Sequence, residues 1–421
     1  LATASGHVTT KTTTAYSYVR QQFGMPIGNF EGVQEALARI IANTYQLEAA
    51  RRLTTTGIDA NVKPSVVTAI AKYHMTELGR DVLEDAMDIQ SGKGIQLGPK
   101  NYLGHAFMAN PISITVEGAN ILTRSLMIFG QGATRCHPYV LAEMEAAGME
   151  DETAAVDRFD QLLLGHIGYA TRNALSSFAN ALTGSRLSSS PVSGPTQKYY
   201  RDMNRISSSL AIMTDLSMLI MGGDLKRKEM ISARMGDVLS QLYLASATLK
   251  FYEDNGRQHD DLPSVHYVMT ERLHLAAKAL EDAIRNFPSK IAGVLLKVLI
   301  FPLGNHFTAP SDKAAVELVK AMLKPSPARD RITFLCGEFD GDTGGIAEVE
   351  DAFLAKYAAR ELYKKLKKAQ RSGHIKSKLP MLELFEVALE KDIITDAEYQ
   401  QLLEVDKKRL AAINVNDFEK L

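Results

Sequence analysis

The 421 residues carry 48 Lys and Arg against 49 Asp and Glu, so the formal net charge is −1 and no bulk attraction to nucleic acid is expected. Hydrophobic residues make up 45% and charged residues 23%, an ordinary globular balance for a chain of two or three domains. Cys136 and Cys336 have no CxxC or Cys/His spacing, which argues against a disulfide framework or a metal site and suits a reducing compartment.

The opening stretch LATASGHVTTKTTTAYSYVR lacks the apolar core of a signal peptide, and there is no initiator Met. The chain is therefore expected to be a fragment or a processed product. Residues 9–22 read as a helix that stops at Phe23-Gly24-Met25-Pro26. After Asn29, read as a cap, Val33, Leu37, Ile40, Ile41 and Tyr45 recur at three- and four-residue steps, and the pattern fades near Thr56 and Gly57. A second long helix starts at Pro64, with Val67, Ile70, Met75, Leu78 and Val82 on one stripe. It ends at the glycine-rich SGKGIQLGP, residues 91–99. Then comes ISITVEGANILTR, residues 112–124, where a short β-branched, strand-like run stops at Glu117 and Gly118 and a helical pattern follows over 121–129. Four such helices with short links predict an antiparallel bundle.

A polar break at residues 148–152 marks the expected domain boundary, giving a first domain over 1–148 and a second over 149–421. Helical patterns then cover 154–182, 203–222, 227–252 and 265–286, with TGSRLSSSPVSGPTQ as a loop and a turn at Asp254-Asn255-Gly256-Arg257. KPSPARDR (324–331) and GEFDGDTGG (337–345) read as further loops. Charged helices follow, with a basic cluster over 364–378. The fold class is mainly α: an antiparallel helical bundle followed by a second helical domain.

Three stretches are candidates for chemistry. Gly92-Lys93-Gly94-Ile95-Gln96-Leu97-Gly98 has GxGxxxG spacing and follows a helix, so a Rossmann fingerprint is rejected. A helix C-cap and a loop that lets phosphate approach the backbone both remain open. Glu117 reads either as a carboxylate favoured by a helix dipole or as a base in an apolar cleft, where poor hydration raises its pKa. Gly118 beside it admits a substrate carbonyl to the backbone. Arg20, with Phe23 and Gly24, suits pyrophosphate contact, but its spacing alone fits a helix-terminal Arg with Phe23 covering the bundle end.

Taken in order, Arg20-Gln21-Gln22-Phe23-Gly24-Met25-Pro26-Ile27, Asp88-Ile89-Gln90-Ser91-Gly92-Lys93-Gly94 and Val116-Glu117-Gly118-Ala119 resemble the C-terminal helical domain of the acyl-CoA dehydrogenases. That family carries RxxFGxxI at a helix end, a glycine loop after two long helices, and then YEGT with its catalytic glutamate. The resemblance implies FAD-dependent dehydrogenation of medium- or long-chain fatty acyl-CoA to trans-2-enoyl-CoA, the first step of fatty acid β-oxidation. It makes Glu117 the catalytic base and Gly118 a substrate contact. Arg20 and Phe23 would reach the FAD of a neighbouring subunit, and Asp88, Gly92, Ala119 and Ile121 would also contact FAD. Family partners are fatty acyl-CoA, an electron-transfer flavoprotein or similar acceptor, and a second subunit. No segment matches the family's N-terminal helical and middle β-domains, so the chain is expected to be the C-terminal part of the enzyme and inactive alone.

An acyl-CoA oxidase-like flavoenzyme is the alternative of the same fold. Beyond residue 150 the extension resembles that of large bacterial members, and a non-catalytic docking or membrane-association module is the alternative from another class. Its membrane candidate is IAGVLLKVLIFPL, residues 291–303, which is too short to span a bilayer and reads as a core helix or an interfacial one. The expected location is the cytoplasm, extending to the inner face of the bacterial cell membrane.

Overall fold

The structure is a computed structural model and describes every residue except 65, 337–344, 377 and 419–421. The predicted loop at 337–345 thus lies outside the described residues, apart from Gly345. In chain order, α1 (Ala2–Val19) leads into a hairpin of β1 (Gln21–Gln22) and β2 (Met25–Pro26), followed by α2 (Glu31–Asp59), α3 (Val67–Gln90), α4 (Gly92–Ile95) and α5 (Gly104–Thr115). Then come α6 (Asn120–Leu122), a π-helical stretch over Thr123–Gln131, α7 (Gly132–Cys136), α8 (Val140–Ala147), α9 (Glu152–Thr183) and α10 (Gln197–Met221). The chain continues through α11 (Glu229–Asp254), α12 (Leu262–Arg285), α13 (Lys290–Ile300), α14 (Asp312–Met322) and α15 (Pro327–Arg331). The last helices are α16 (Ile346–Ala358), α17 (Arg360–Arg371), α18 (Met381–Glu390) and α19 (Asp396–Ile413). The mainly α expectation therefore holds.

Two compact units emerge, and both are discontinuous: one comprises Leu1–Thr44, Gly79–Asn110 and Ala315–Leu421, the other Tyr45–Leu78 and Pro111–Ala314. This is a different division from the one expected at residue 148. In the first unit, Tyr16, Val19 and Ile27 pack with Val349, Phe353 and Ala412, so α1 is wedged against α16 and α19. The threonine-rich α1 is buried, and several of its hydroxyls bond inside the unit. Thr12 and Thr14 donate to the carbonyls of Val8 (2.8 Å) and Thr10 (2.6 Å), and Thr10 donates to Thr44 (2.8 Å). Ile40, Val82, Leu83 and Leu103 close a neighbouring cluster.

The second unit holds the long helices. Asp151 caps α9 by accepting from the N–H groups of Thr153 (3.0 Å) and Ala154 (3.1 Å), and Gly184 ends it at φ +60°. Residues 197–226 are long and apolar enough to cross a bilayer, by length and composition. Within this unit, however, the span carries buried Arg205, which donates to the Ile300 carbonyl, and Asp215, bonded to two histidines. These two polar groups of the span thus find partners within the unit. The π-helical stretch approaches α11 at Gly236, where a Cβ would lie 3.4 Å from Ile128 Cγ2, and Arg124 is paired to Asp237 at 2.8 Å.

Candidate functional site

The residues singled out in the sequence form three local groups. Two belong to the first unit, the Arg20–Phe23 hairpin and the Asp88/Gly92 loop, and the third, around Glu117, belongs to the second.

At the third group, ISIT proves helical. Residues 112–115 form the last turn of α5, correcting the strand-like reading. A β-branched run with no partner strand can pair its backbone only as helix, and here the helix end is capped from outside. Lys72 on α3 donates to the Ile114 carbonyl (3.2 Å) and to Asn120 Oδ1. Asn120, 3% exposed, in turn donates to Thr76 Oγ1 (2.9 Å) and Glu77 Oε1 (2.7 Å). Three side chains of α3 thus pin the corner from below. Above the pin the backbone turns through Glu117 (φ +57°) and Gly118 (φ +96°).

Sequence reasoning expected a poorly hydrated Glu117. The structure corrects this for the chain as it stands: the Glu117 carboxylate is exposed and makes no hydrogen bond or ion pair among the described residues. The apolar part of the expectation survives as a rim rather than a cleft, because Ile112, Val116, Ile121 (83% exposed) and Leu122 all present apolar surface to solvent. Gly118 is half-buried and Ala119 exposed. The exposed carboxylate is thus preceded and followed along the chain by exposed apolar side chains.

In the hairpin, Gln21 pairs with Pro26 and Gln22 with Met25, leaving Phe23 (φ +51°) and Gly24 (φ +78°) as the turn. Both central residues are left-handed, the geometry of a two-residue I′ turn. Phe23 is 92% exposed and lies edge-on to Phe30, with ring centroids 6.2 Å apart. Helix α1 therefore stops at Val19 rather than at residue 22. Arg20 caps it through its N–H to the Tyr16 carbonyl (2.8 Å), and its guanidinium makes no ion pair among the described residues. Beneath it lies a group that sequence reasoning missed. Lys356 of α16 is 4% exposed, and its ammonium donates to the Tyr18 (2.8 Å) and Val19 (3.2 Å) carbonyls. Burial, aided by Arg409 and opposed by Asp406, brings its pKa down to about 7.

Asp88 is exposed on the last turn of α3, and Ser91 (φ +51°) turns the chain into α4. Gly92 is exposed, and a Cβ there would meet nothing within 4 Å. Lys93, by contrast, points inward. The loop is thus more than a helix stop, and its open edge is at Gly92.

Among the described residues, seven non-glycine residues are left-handed, and Phe23, Ser91 and Glu117 supply one to each group. Such a conformation costs about 1–2 kcal/mol for a side chain without the local bonding of Asn or Asp.

A family profile described as "Acyl-CoA dehydrogenase, C-terminal, bacterial type" matches residues 134–418, and one described as "Acyl-CoA dehydrogenase, C-terminal domain" matches residues 4–128. The chain belongs to the acyl-CoA dehydrogenase family. Its fold is similar to that in the crystal structure of an acyl-CoA dehydrogenase complexed with FAD from Bacillus anthracis, with a TM-score of 0.54 at 15% identity. The match covers 76% of this chain and 53% of that one, so the chain spans about half the length of that dehydrogenase.

The bacterial-type part of this acyl-CoA dehydrogenase chain holds one further polar cluster. His137 Nε2 lies 2.8 Å and His166 Nε2 3.3 Å from Asp215 Oδ1, and His166 Nδ1 lies 2.9 Å from Glu143. These atoms have the spacing of metal ligands. However, His137 Nδ1 accepts from the N–H groups of Tyr139 and Val140, both at 3.2 Å, which places the ring proton on Nε2, where a metal would need a bare lone pair. Burial works against the His166 charge, but bonds to Glu143 and Asp215 outweigh it and raise the pKa. The cluster is built as a proton-bridged brace between α8, α9 and α10.

Proposed function

We propose that this chain is the C-terminal part of an FAD-dependent enzyme that converts medium- or long-chain fatty acyl-CoA to trans-2-enoyl-CoA, with Glu117 as the base. The observation that carries this reading is the pinned corner. A buried polar clamp holds an unpartnered carboxylate in a strained conformation amid exposed apolar side chains.

Glu117 takes the proton from the carbon next to the thioester carbonyl. Its backbone N–H, which makes no backbone hydrogen bond among the described residues, is the donor that polarises that carbonyl. The acyl chain lies against the rim of Ile112, Val116, Ile121 and Leu122. Covering that rim removes water from the carboxylate, and a carboxylate stripped of water is the stronger base. Poor hydration is thus a property of the loaded enzyme. Gly118 leaves the approach free of a side chain.

The residues present fit a flavin: an unpaired guanidinium at Arg20, an exposed aromatic at Phe23 and an open backbone edge at Gly92 suit a pyrophosphate and a ring system. Arg20 and Phe23 hold the cofactor of a second subunit, with Asp88, Gly92, Ala119 and Ile121 as further contacts. Bound FAD supplies the acceptor for the hydride lost from the neighbouring carbon. An electron-transfer flavoprotein or similar acceptor would be the electron-accepting partner. The test is product analysis with the full-length protein, a fatty acyl-CoA and an electron acceptor. Accumulation of trans-2-enoyl-CoA is expected, and an unchanged substrate pool contradicts the assignment.

A second, compatible reading concerns α13. Its Ala292, Leu296 and Ile300 are buried, while Ile291, Val294, Leu295 and Val298 are exposed on a helix that also carries Lys290 and Lys297. A helix half in the core and half bare supports peripheral contact with the inner face of a bacterial membrane. Val294→Asp alters only the bare face. It should abolish co-sedimentation with anionic vesicles, and equal pelleting of wild type and variant removes the idea.

A further inference from the structure

The glycine loop over residues 92–100 is gripped from its inner side by residues more than 300 positions away. Lys93 is 5% exposed, with its ammonium turned inward to donate to the Asn414 carbonyl (2.9 Å) and lying 5.7 Å from the centre of the Tyr102 ring. At the other end of the loop the Lys100 N–H donates to Asn416 Oδ1 (2.8 Å). The Lys100 ammonium donates to the Ala411 carbonyl on α19 (3.2 Å) and pairs with Glu348 (3.3 Å). Asn101 ties the loop to itself by donating to the Gly94 (2.7 Å) and Gln96 (2.8 Å) carbonyls.

Gly98 shows how closely the two segments meet. Its φ is +107°, and a Cβ there would lie 2.5 Å from Asn416 Oδ1. The last glycine of GxGxxxG is therefore required by Asn416 and not by a phosphate. Gly92, at the opposite edge, faces open space. One edge of the loop is fastened and the other is free.

The geometry points to residues 414–416 as a positioning strap for the cofactor loop, with Asn416 as its key residue. The strap fastens the inner side and so presents the Gly92 edge at a fixed height to the flavin. This rests on the flavin reading given above. It assigns a role to a segment carried by the bacterial-type extension.

The test uses the full-length protein with Asn416→Ala, which removes the acceptor for Lys100, and Asn416→Asp, which keeps one. Two measurements are made: amide hydrogen exchange over residues 92–100 without flavin, and flavin affinity by titration. Asn416→Ala should exchange about tenfold faster in the loop, the effect of losing one hydrogen bond, and should release flavin more readily, with both restored in Asn416→Asp. Unchanged exchange overturns the strap. Faster exchange with unaltered flavin affinity overturns its positioning role. A wild-type protein that takes up no flavin overturns the cofactor reading and the positioning role with it, while the exchange measurement still decides the strap.

Discussion

The Glu117 corner and the glycine loop are both tight turns with a non-glycine residue in the left-handed region, yet they are secured in opposite ways. The corner is pinned by Lys72, Thr76 and Glu77, fewer than fifty residues away, all within the segment matched by the general C-terminal domain profile. The loop is fastened through Lys93 and Lys100 to residues 414 and 416, within the segment matched by the bacterial-type profile. The proposed base is thus held by residues within the segment matched by the general domain profile. The parts proposed to face the cofactor are held by the extension, at the loop by Asn416 and at the end of α1 before the hairpin by Lys356.

That contrast can be broken experimentally. The largest effect is expected for Asn120→Ala. It removes the hub that Lys72, Thr76 and Glu77 share, costing each of them one hydrogen bond, and should lower stability by about 2–3 kcal/mol in chemical denaturation. A change below about 0.5 kcal/mol, the level of an ordinary surface substitution, shows that the corner holds itself. Lys356→Met should cost less, about 1 kcal/mol, because two helix-end carbonyls lose their donor while the desolvation of a buried ammonium is relieved.

A separate effect lies in pH dependence. Lys356 has a folded pKa of about 7, against an ordinary value of 10.5. Between those values the unfolded chain binds more protons than the folded one, so this group makes stability rise with pH across the window. Wild type should gain stability from pH 7 to 9 by more than Lys356→Met does, read from denaturant midpoints. Identical slopes would show that the lysine does not titrate there.

Much of this architecture is legible along the chain. Helices α9, α11 and α12 begin and end within three residues of their periodic patterns, because local signals such as Asp151 and Gly184 set their ends. Arg20, Phe23, Gly92 and Glu117 stand out by motif and spacing. ISIT misleads because β-branching is a local preference, and the Lys72 cap that favours helix lies forty-two residues away. Asn416 and Lys356 leave no local mark, since nothing near a lysine in sequence says that it will be buried under a helix end 338 residues distant. Glu117 hydration is invisible for another reason: it depends on what covers Ile112, Val116, Ile121 and Leu122, and this chain leaves them bare.

The most direct test concerns Glu117 alone. Full-length wild type and Glu117→Gln, both loaded with flavin, are mixed anaerobically with a long-chain acyl-CoA while the visible flavin absorbance is followed. Wild type should bleach at once, and the variant should keep its flavin but lose on the order of 10³ or more in bleaching rate, the scale of a lost general base. Bleaching at the wild-type rate in Glu117→Gln would contradict the assignment of the base.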